Sequence, residues 1–339
     1  MFKNKKITLM GLGLLGRGVG DAIFLAKAGA KLTVTDLKTE DELASSIRQL
    51  KKFKNVRFVL GRHELEDFRT ADMVIKAAGV PLDSPFILEA LKNNVPVKMS
   101  TALFAELTTA QTIGITGTRG KSTVTDMICE ILKSLQDPKG KTAAKVFAGG
   151  NVRGLSTLAL LPEVGPADVV VLELDSWQLQ GFAGMHRSGL EISHGFSPHI
   201  AVFTTFMPDH LNYYGGNMDR YFADKAHIYR FQTKNDFLIV SPQVASFIKK
   251  YGPKPKSKMI IARATDLPAD LQLKIPGKHN RLNAALALAA AQVFSTSSGD
   301  SVGGLLGEKN SAVRSTLESY KGLAGRLEFV KKYKGIEIY

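Results

Sequence analysis

The sequence predicts an α/β protein made of two nucleotide-binding units in series, each built on a mostly parallel sheet. Two glycine-rich loops carry that prediction, each preceded by a short apolar strand-like run and followed by a helical pattern. Further apolar runs of strand length, separated by helical stretches, continue the alternation along the chain.

In the first unit Ile7 to Met10 read as a strand, followed by Gly11-Leu12-Gly13-Leu14-Leu15-Gly16 and a helical pattern through Ile23, Phe24, Leu25 and Ala28. A second strand, Lys31 to Thr35, ends at Asp36, about 20 residues beyond the glycines. This is a Rossmann-type fingerprint. Its glycines permit a tight turn and close backbone approach to a diphosphate, whose charge meets a helix N-terminus. Leu14, Leu15, Gly16 and Asp36 are therefore candidates for holding a diphosphate-bearing ligand of unspecified identity. Leu37 and Lys38 follow, and Lys38 either pairs with the nucleotide or faces water. Val56 to Leu60 and Met73 to Lys76 read as further strands, with Ala77-Ala78-Gly79-Val80-Pro81 at the carboxyl end of the latter.

The second unit opens at Thr112-Ile113-Gly114-Ile115-Thr116 and leads into Gly117-Thr118-Arg119-Gly120-Lys121-Ser122-Thr123, then a helix from Val124 to Leu135. Strand, glycine loop, Lys-Ser/Thr and helix make a phosphate-binding P-loop. The loop amides of Gly117 to Gly120 cradle phosphate oxygens, Lys121 reaches the β- and γ-phosphates, and the hydroxyl of Ser122 or Thr123 holds Mg²⁺. Ile115 stands where the longer form of the motif has its first glycine. Two phosphate loops imply two phosphorylated ligands. An NAD-dependent oxidoreductase would leave the lysine loop unexplained.

Composition sets the outer bounds. A chain of 339 residues exceeds a single core, and 44% hydrophobic with 22% charged residues is ordinary for a soluble globular protein. No apolar run reaches membrane-spanning length and the start lacks a signal-peptide core, so no membrane partner and a cytoplasmic location are expected. The single cysteine, Cys129, lies in an apolar run and reads as core. The net charge of +14 comes from 45 basic residues interleaved with 31 acidic ones, without aromatic stacking positions. That pattern suits an anionic small substrate and not a nucleic acid.

The motifs resemble the Mur ligase family, whose signature is the Gly-Thr-x-Gly-Lys-Ser/Thr loop seen here from Gly117 to Thr123. In order along the chain, Gly149-Gly150-Asn151, Glu173-Leu174-Asp175-Ser176-Trp177-Gln178-Leu179, Thr205-Phe206-Met207-Pro208-Asp209-His210-Leu211, Ala223-Asp224-Lys225 and Gly277-Lys278-His279-Asn280-Arg281-Leu282-Asn283 resemble further family elements. Gly325-Arg326-Leu327-Glu328 resembles the opening of the family's third domain. The start at Gly11 is similar to the D-glutamate-adding branch, where the first domain holds UDP rather than NAD.

The resemblance implies an ATP-dependent amide ligase of peptidoglycan-precursor synthesis. It would add D-glutamate to UDP-N-acetylmuramoyl-L-alanine through an acyl phosphate. Another Mur ligase, adding L-alanine or a later residue, and a non-catalytic nucleotide-binding protein are the alternatives. The implied catalytic residues are Lys121, Asn151, Glu173, His210 and Lys225. Two Mg²⁺ ions are implied, on Ser122 and Glu173 and on His210 and a carbamylated Lys225. Asn283 and Arg326 would join the loop in binding ATP. Gly79, Asn151, Asp175 and Gln178 would join Leu14, Leu15, Gly16, Asp36, Leu37 and Lys38 around the UDP-precursor. Trp177 and His227 are expected to be structural, and the protein to be a monomer.

Several positions depart from the family pattern: Arg119 replaces an Asn, Thr205 another Asn, Asp175 a Ser, and Ala77-Ala78-Gly79 a Ser-Pro-Gly. The expected domains are 1–109 for the UDP-precursor, 110–320 for ATP, and 321–339 as the truncated start of a third domain. That last stretch reads as one hairpin around Lys334-Gly335.

Overall fold

The computed structural model describes residues 1–136, 144–183, 195–296, 304–306, 311–323, 331–333 and 336–338. By compactness the chain divides into two units. The first comprises Met1–Thr109, Gly149–Gly165 and Trp177–Phe196, and the second Ala110–Ala148, Pro166–Ser176 and Ser197–Tyr339.

The first unit is built on strands β1 (Lys6–Met10), β2 (Lys31–Asp36), β3 (Val56–Leu60), β4 (Met73–Lys76) and β5 (Val97–Lys98). They lie in the order β3-β2-β1-β4-β5, every pair parallel. Parallel neighbours need crossovers, and helices Arg17–Lys27, Ala44–Leu50, Leu65–Arg69 and Pro85–Lys92 supply them. Ile7, Leu9 and Met10 of β1 are all buried, as expected of a central strand covered on both faces. The strand order reverses at β1, so the carboxyl ends of β1 and β4 flank the crevice where such sheets receive ligands.

The second sheet is built from β6 (Gln111–Thr116), β7 (Val146–Gly150), β8 (Val169–Glu173), β9 (Ile200–Phe203), β10 (Phe237–Val240) and β11 (Lys258–Ile261). Their order is β11-β10-β9-β6-β8-β7, with parallel pairing from β11 through β8. Strands β8 and β9 are fully buried, and β6 is buried from Thr112 onward. Helices Lys121–Ser134 and Lys278–Thr296 pack together over this sheet. The buried run Ala284–Ala291 allows close approach, because six of its eight side chains are methyl groups. Cys129 sits in that core with 4% exposure, and burial pushes its thiol pKa up to about 12, which leaves it unreactive. Strands β12 (Lys331–Tyr333) and β13 (Ile336–Ile338) form the hairpin expected near the end of the chain, and its Lys334-Gly335 turn lies outside the described residues.

Candidate functional site

Strand β1 delivers the first glycine loop at the switch point. Gly11 has φ +95, and a Cβ there would lie 2.8 Å from the Cβ of Ala77, so the loops after β1 and β4 meet where only glycine fits. Asp36, at the end of β2, holds the loop from its other side. One carboxylate oxygen accepts the Gly13 amide at 3.0 Å and the other the Lys38 amide at 3.0 Å. The helix then begins at Arg17 behind Gly16, with no acidic residue in its first turn to compete for an anion.

Leu14, Leu15 and Leu37 stand 56%, 53% and 68% exposed around this loop, so the folded chain does not use them as core. Lys38 pairs with Glu42 at 3.9 Å on the surface. The turn Asn151–Gly154 belongs to the same unit. Gly154 backs directly onto Gly16, where an added Cβ would meet its carbonyl at 3.3 Å, and the Gly150 amide is bound by Thr157 Oγ1 at 2.7 Å. Gln178 is buried and donates to Thr101 Oγ1 at 3.2 Å.

A buried carboxylate fixes these pieces to one another. Asp21 Oδ1 accepts the hydroxyls of Ser100 at 2.7 Å and Ser156 at 2.5 Å, joining the helix Arg17–Lys27, the helix Ser100–Leu107 and the segment behind Asn151. Burial raises the Asp21 pKa to about 6, against the lowering effect of both hydroxyls and Arg17.

The second unit assembles its loop at the carboxyl ends of three adjacent strands. From β6 come Gly117 and Gly120, with φ +145 and +87, and from β8 comes Glu173, buried to 4% exposure beside Ile115. From β9 come two threonines that grip the loop. Thr204 Oγ1 donates to the Arg119 carbonyl at 2.5 Å, Thr205 Oγ1 receives the Arg119 amide at 2.9 Å, and the Thr205 carbonyl receives the Thr118 amide at 2.8 Å. Thr118 Oγ1 in turn donates to the Met207 carbonyl at 3.1 Å and lies 3.4 Å from Tyr221 Oη.

Two lysines converge on this loop. Lys121 Nζ and Lys225 Nζ each donate to the Gly117 carbonyl at 3.0 Å. Lys225 comes from the helix Met218–Arg230, is 2% exposed and lies over the Tyr221 ring at 4.9 Å. Burial pushes its pKa down to about 7 and Lys121 adds to the drop, while Asp175, Asp209 and Asp224 oppose it.

His210 adopts φ +51, a left-handed conformation uncommon for a non-glycine residue, and starts the short helix Leu211–Tyr214. Its edge faces Tyr221 at 6.3 Å between ring centres. The Arg119 guanidinium lies 3.6 Å from Asp209. Asn283 Oδ1 sits against Gly120, where a Cβ would approach it to 2.6 Å, and its amide donates to Asn280 at 2.9 Å.

The structure thus brings Gly117 to Thr123, Glu173, Asp175, His210, Lys225 and Asn283 into the second unit, and Leu14 to Gly16, Asp36 to Lys38, Gly79, Asn151 and Gln178 into the first. Arg326 lies outside the described residues. Sequence reasoning gave Thr204 and Tyr221 no role. The signal for Thr204 was a hydroxyl directly after the apolar strand β9. Among the described residues, no three His, Cys, Asp or Glu side chains converge as a ready-made metal cage.

A glycine-rich loop at the switch point of one parallel sheet, and a P-loop sequence after the central strand of a second, define a two-unit α/β protein with two candidate phosphate-binding turns. Residues 115–291 match the Mur ligase middle domain, and residues 5–99 the Mur ligase MurD-like N-terminal domain. The chain belongs to the Mur ligase family.

Among curated relatives it is similar to UDP-N-acetylmuramoylalanine–D-glutamate ligase of Borreliella burgdorferi (strain ZS7), with 32% identity over 99% of this chain and 71% of the relative. The like-named ligase of Streptococcus mutans is 30% identical over 100% of this chain and 71% of the relative. That of Treponema pallidum is 36% identical over 70% of this chain and 44% of the relative. Among solved structures, UDP-N-acetylmuramate-alanine ligase of Thermotoga maritima shares the fold at a TM-score of 0.53 and 21% identity, over 98% of this chain and 72% of that one. No helix among the described residues is long and apolar enough to cross a membrane.

Proposed function

We propose that this chain carries the UDP-precursor and ATP sites of an ATP-dependent ligase that joins D-glutamate to UDP-N-acetylmuramoyl-L-alanine. The observation that carries the reading is the unlike chemistry of the two loops. The first is held by a carboxylate, Asp36, and offers glycine backbone with exposed leucines, which suits a diphosphate with an attached base and sugar. The second carries Lys121 at the head of its helix, which suits a triphosphate, with the buried Lys225 amine on the same Gly117 carbonyl. The names of the curated relatives supply the amino acid. Residues 1–109 hold the precursor in this reading and residues 110–320 hold ATP.

An amide forms from a carboxylate only after activation. A substrate carboxylate oxygen attacks the γ-phosphorus and ADP departs. The D-glutamate amine then attacks the acyl carbon, and phosphate leaves with the oxygen it received. Phosphoryl transfer asks the protein for position and charge. The loop amides and Lys121 align the γ-phosphate, Thr204 and Thr205 hold the loop rigid, and Asn283 packs against its last glycine.

Ser122 and Glu173 are the hard oxygen donors that suit Mg²⁺, which ordinarily takes one or two carboxylates together with phosphate oxygens. Glu173, buried beside the strand that feeds the loop, fits that donor set. Mg²⁺ bound there would neutralise developing charge on the phosphates. A lysine amine with a pKa near 7 has a large neutral fraction at neutral pH, and only the neutral form adds CO₂. Carbamylated Lys225, with His210, would then offer oxygen and nitrogen to a second Mg²⁺.

Calorimetric titration with UDP-N-acetylmuramoyl-L-alanine, UDP-N-acetylmuramate and a UDP-precursor one residue longer tests the substrate assignment. The first should bind at least about tenfold more tightly than the others. Tightest binding of UDP-N-acetylmuramate would move the chain to an L-alanine ligase.

A further inference from the structure

A second fully buried lysine lies in the first unit, and nothing above gives it a task. Lys76 ends β4 with 1% exposure, in register with Met10, the residue before the glycine turn. Its Nζ donates to the carbonyls of Val80 at 2.8 Å, Ala77 at 3.3 Å and Ala78 at 3.5 Å. A lysine head group has three donors, so one side chain gathers the inner carbonyls of a whole loop. The Ala77 amide donates to Met10 and the Val80 amide to Ala77, which closes a compact turn around Nζ.

This turn forms one wall of the crevice at the switch point. Ala77 abuts Gly11, and the outer residue, Gly79, is exposed. The segment reads Ala77-Ala78-Gly79, with no proline to fix φ and no side-chain hydroxyl to cap an amide. An Ala-Ala-Gly segment left to itself has wide conformational freedom, so something else must set its shape.

We infer that Lys76 is a positioning residue for the UDP-precursor: tethering the carbonyls of Ala77, Ala78 and Val80 to one buried amine fixes the loop that presents Gly79 to the ligand beside the Gly11–Gly16 turn. The inference rests on the first unit's being the precursor site.

Lys76→Met keeps the volume and removes the donors, and adding Ala78→Pro restores stiffness by another route. Lys76→Met should weaken UDP-N-acetylmuramoyl-L-alanine binding by about tenfold or more while Mg-ATP binding stays at the wild-type value. Lys76→Met/Ala78→Pro should recover most of the loss. Hydrogen exchange of the Val80 amide, read without ligand, should quicken in Lys76→Met and slow again in the double variant. Wild-type precursor affinity in a folded Lys76→Met protein, or equal loss of both ligands without rescue, would overturn the inference. Failure of the wild-type protein itself to bind the precursor would overturn the site assignment. Unchanged Val80 exchange would then still count separately against the tether.

Discussion

The loop after β1 and the loop after β6 share one plan and differ in what holds them. Both follow a central parallel strand, both lead into a helix through a glycine with φ +87, and both have a buried lysine nearby with its amine on backbone carbonyls. In the first unit the clamp is a carboxylate taking amides. In the second it is a pair of hydroxyls, Thr204 and Thr205, and the loop itself carries Lys121. Anionic scaffolding leaves a site whose attraction for phosphate is limited to amides and the helix end. Neutral scaffolding adds no negative charge to the loop that carries Lys121. In the proposed reading, that one plan serves a docking site in one unit and a phosphoryl-transfer site in the other.

Glycine substitutions break the comparison most sharply. Gly117→Ala places a Cβ onto Thr204 Oγ1 and 2.9 Å from the Thr205 amide, at φ +145, so strain and overlap add. We expect a cost of about 3 kcal/mol or more, with loss of Mg-ATP binding. Gly13→Ala, at φ +63 with nothing within 4 Å, should cost only about 1 kcal/mol. Urea denaturation of both variants measures the gap, and equal costs would mean the threonine clamp does not confine the loop.

Asp21 gives the first unit a pH signature in the acid range, below the one that the buried amine of Lys225 gives the second. Its pKa rises from 3.8 in the unfolded chain to about 6, so between those values the folded protein binds more protons than the unfolded one. Stability therefore falls as pH rises through that window, by up to about 3 kcal/mol, and this contribution is flat above it. Asp21→Asn keeps an acceptor for Ser100 and Ser156 and removes the titration. The variant should match the wild type near pH 4 and exceed it near pH 7. Parallel stability curves would show that Asp21 is not held against its charge.

The smaller pair of changes compares the clamps directly. Asp36→Asn sets an amide N–H against a backbone N–H and should cost about 2 kcal/mol, leaving Mg-ATP affinity alone. Thr205→Ala, at a half-buried position that water can refill, should cost less than about 1 kcal/mol and weaken Mg-ATP modestly. A reversed order in thermal unfolding would reverse the ranking of the two scaffolds.

Much of this plan is legible in the residues, because strands β1, β2, β6 and β8 are short apolar runs that end at glycine or acid. The P-loop lysine, the diphosphate glycines and Asp36 follow from that local pattern. What escaped depends on contacts distant in sequence. Nothing near Ser156 announces Asp21, and nothing near Lys76 announces that its amine turns inward. The packing of Gly149–Gly165 and Trp177–Phe196 with the first unit leaves no periodic trace in either segment. Asn283 was legible as a motif residue, but its contact with Gly120 required the packing of two helices far apart in the chain.

The separation of tasks between the loops is tested most directly by ligand-dependent thermal unfolding of the wild type and Lys121→Ala. In the wild type, UDP-N-acetylmuramoyl-L-alanine and Mg-ATP should each stabilise, by about 2.7 kcal/mol at a hundredfold excess over Kd, and NADH should not. Lys121→Ala should keep the response to the precursor and lose the response to Mg-ATP. A shift with NADH alone, or loss of both responses in a folded Lys121→Ala protein, would contradict two loops with two ligands.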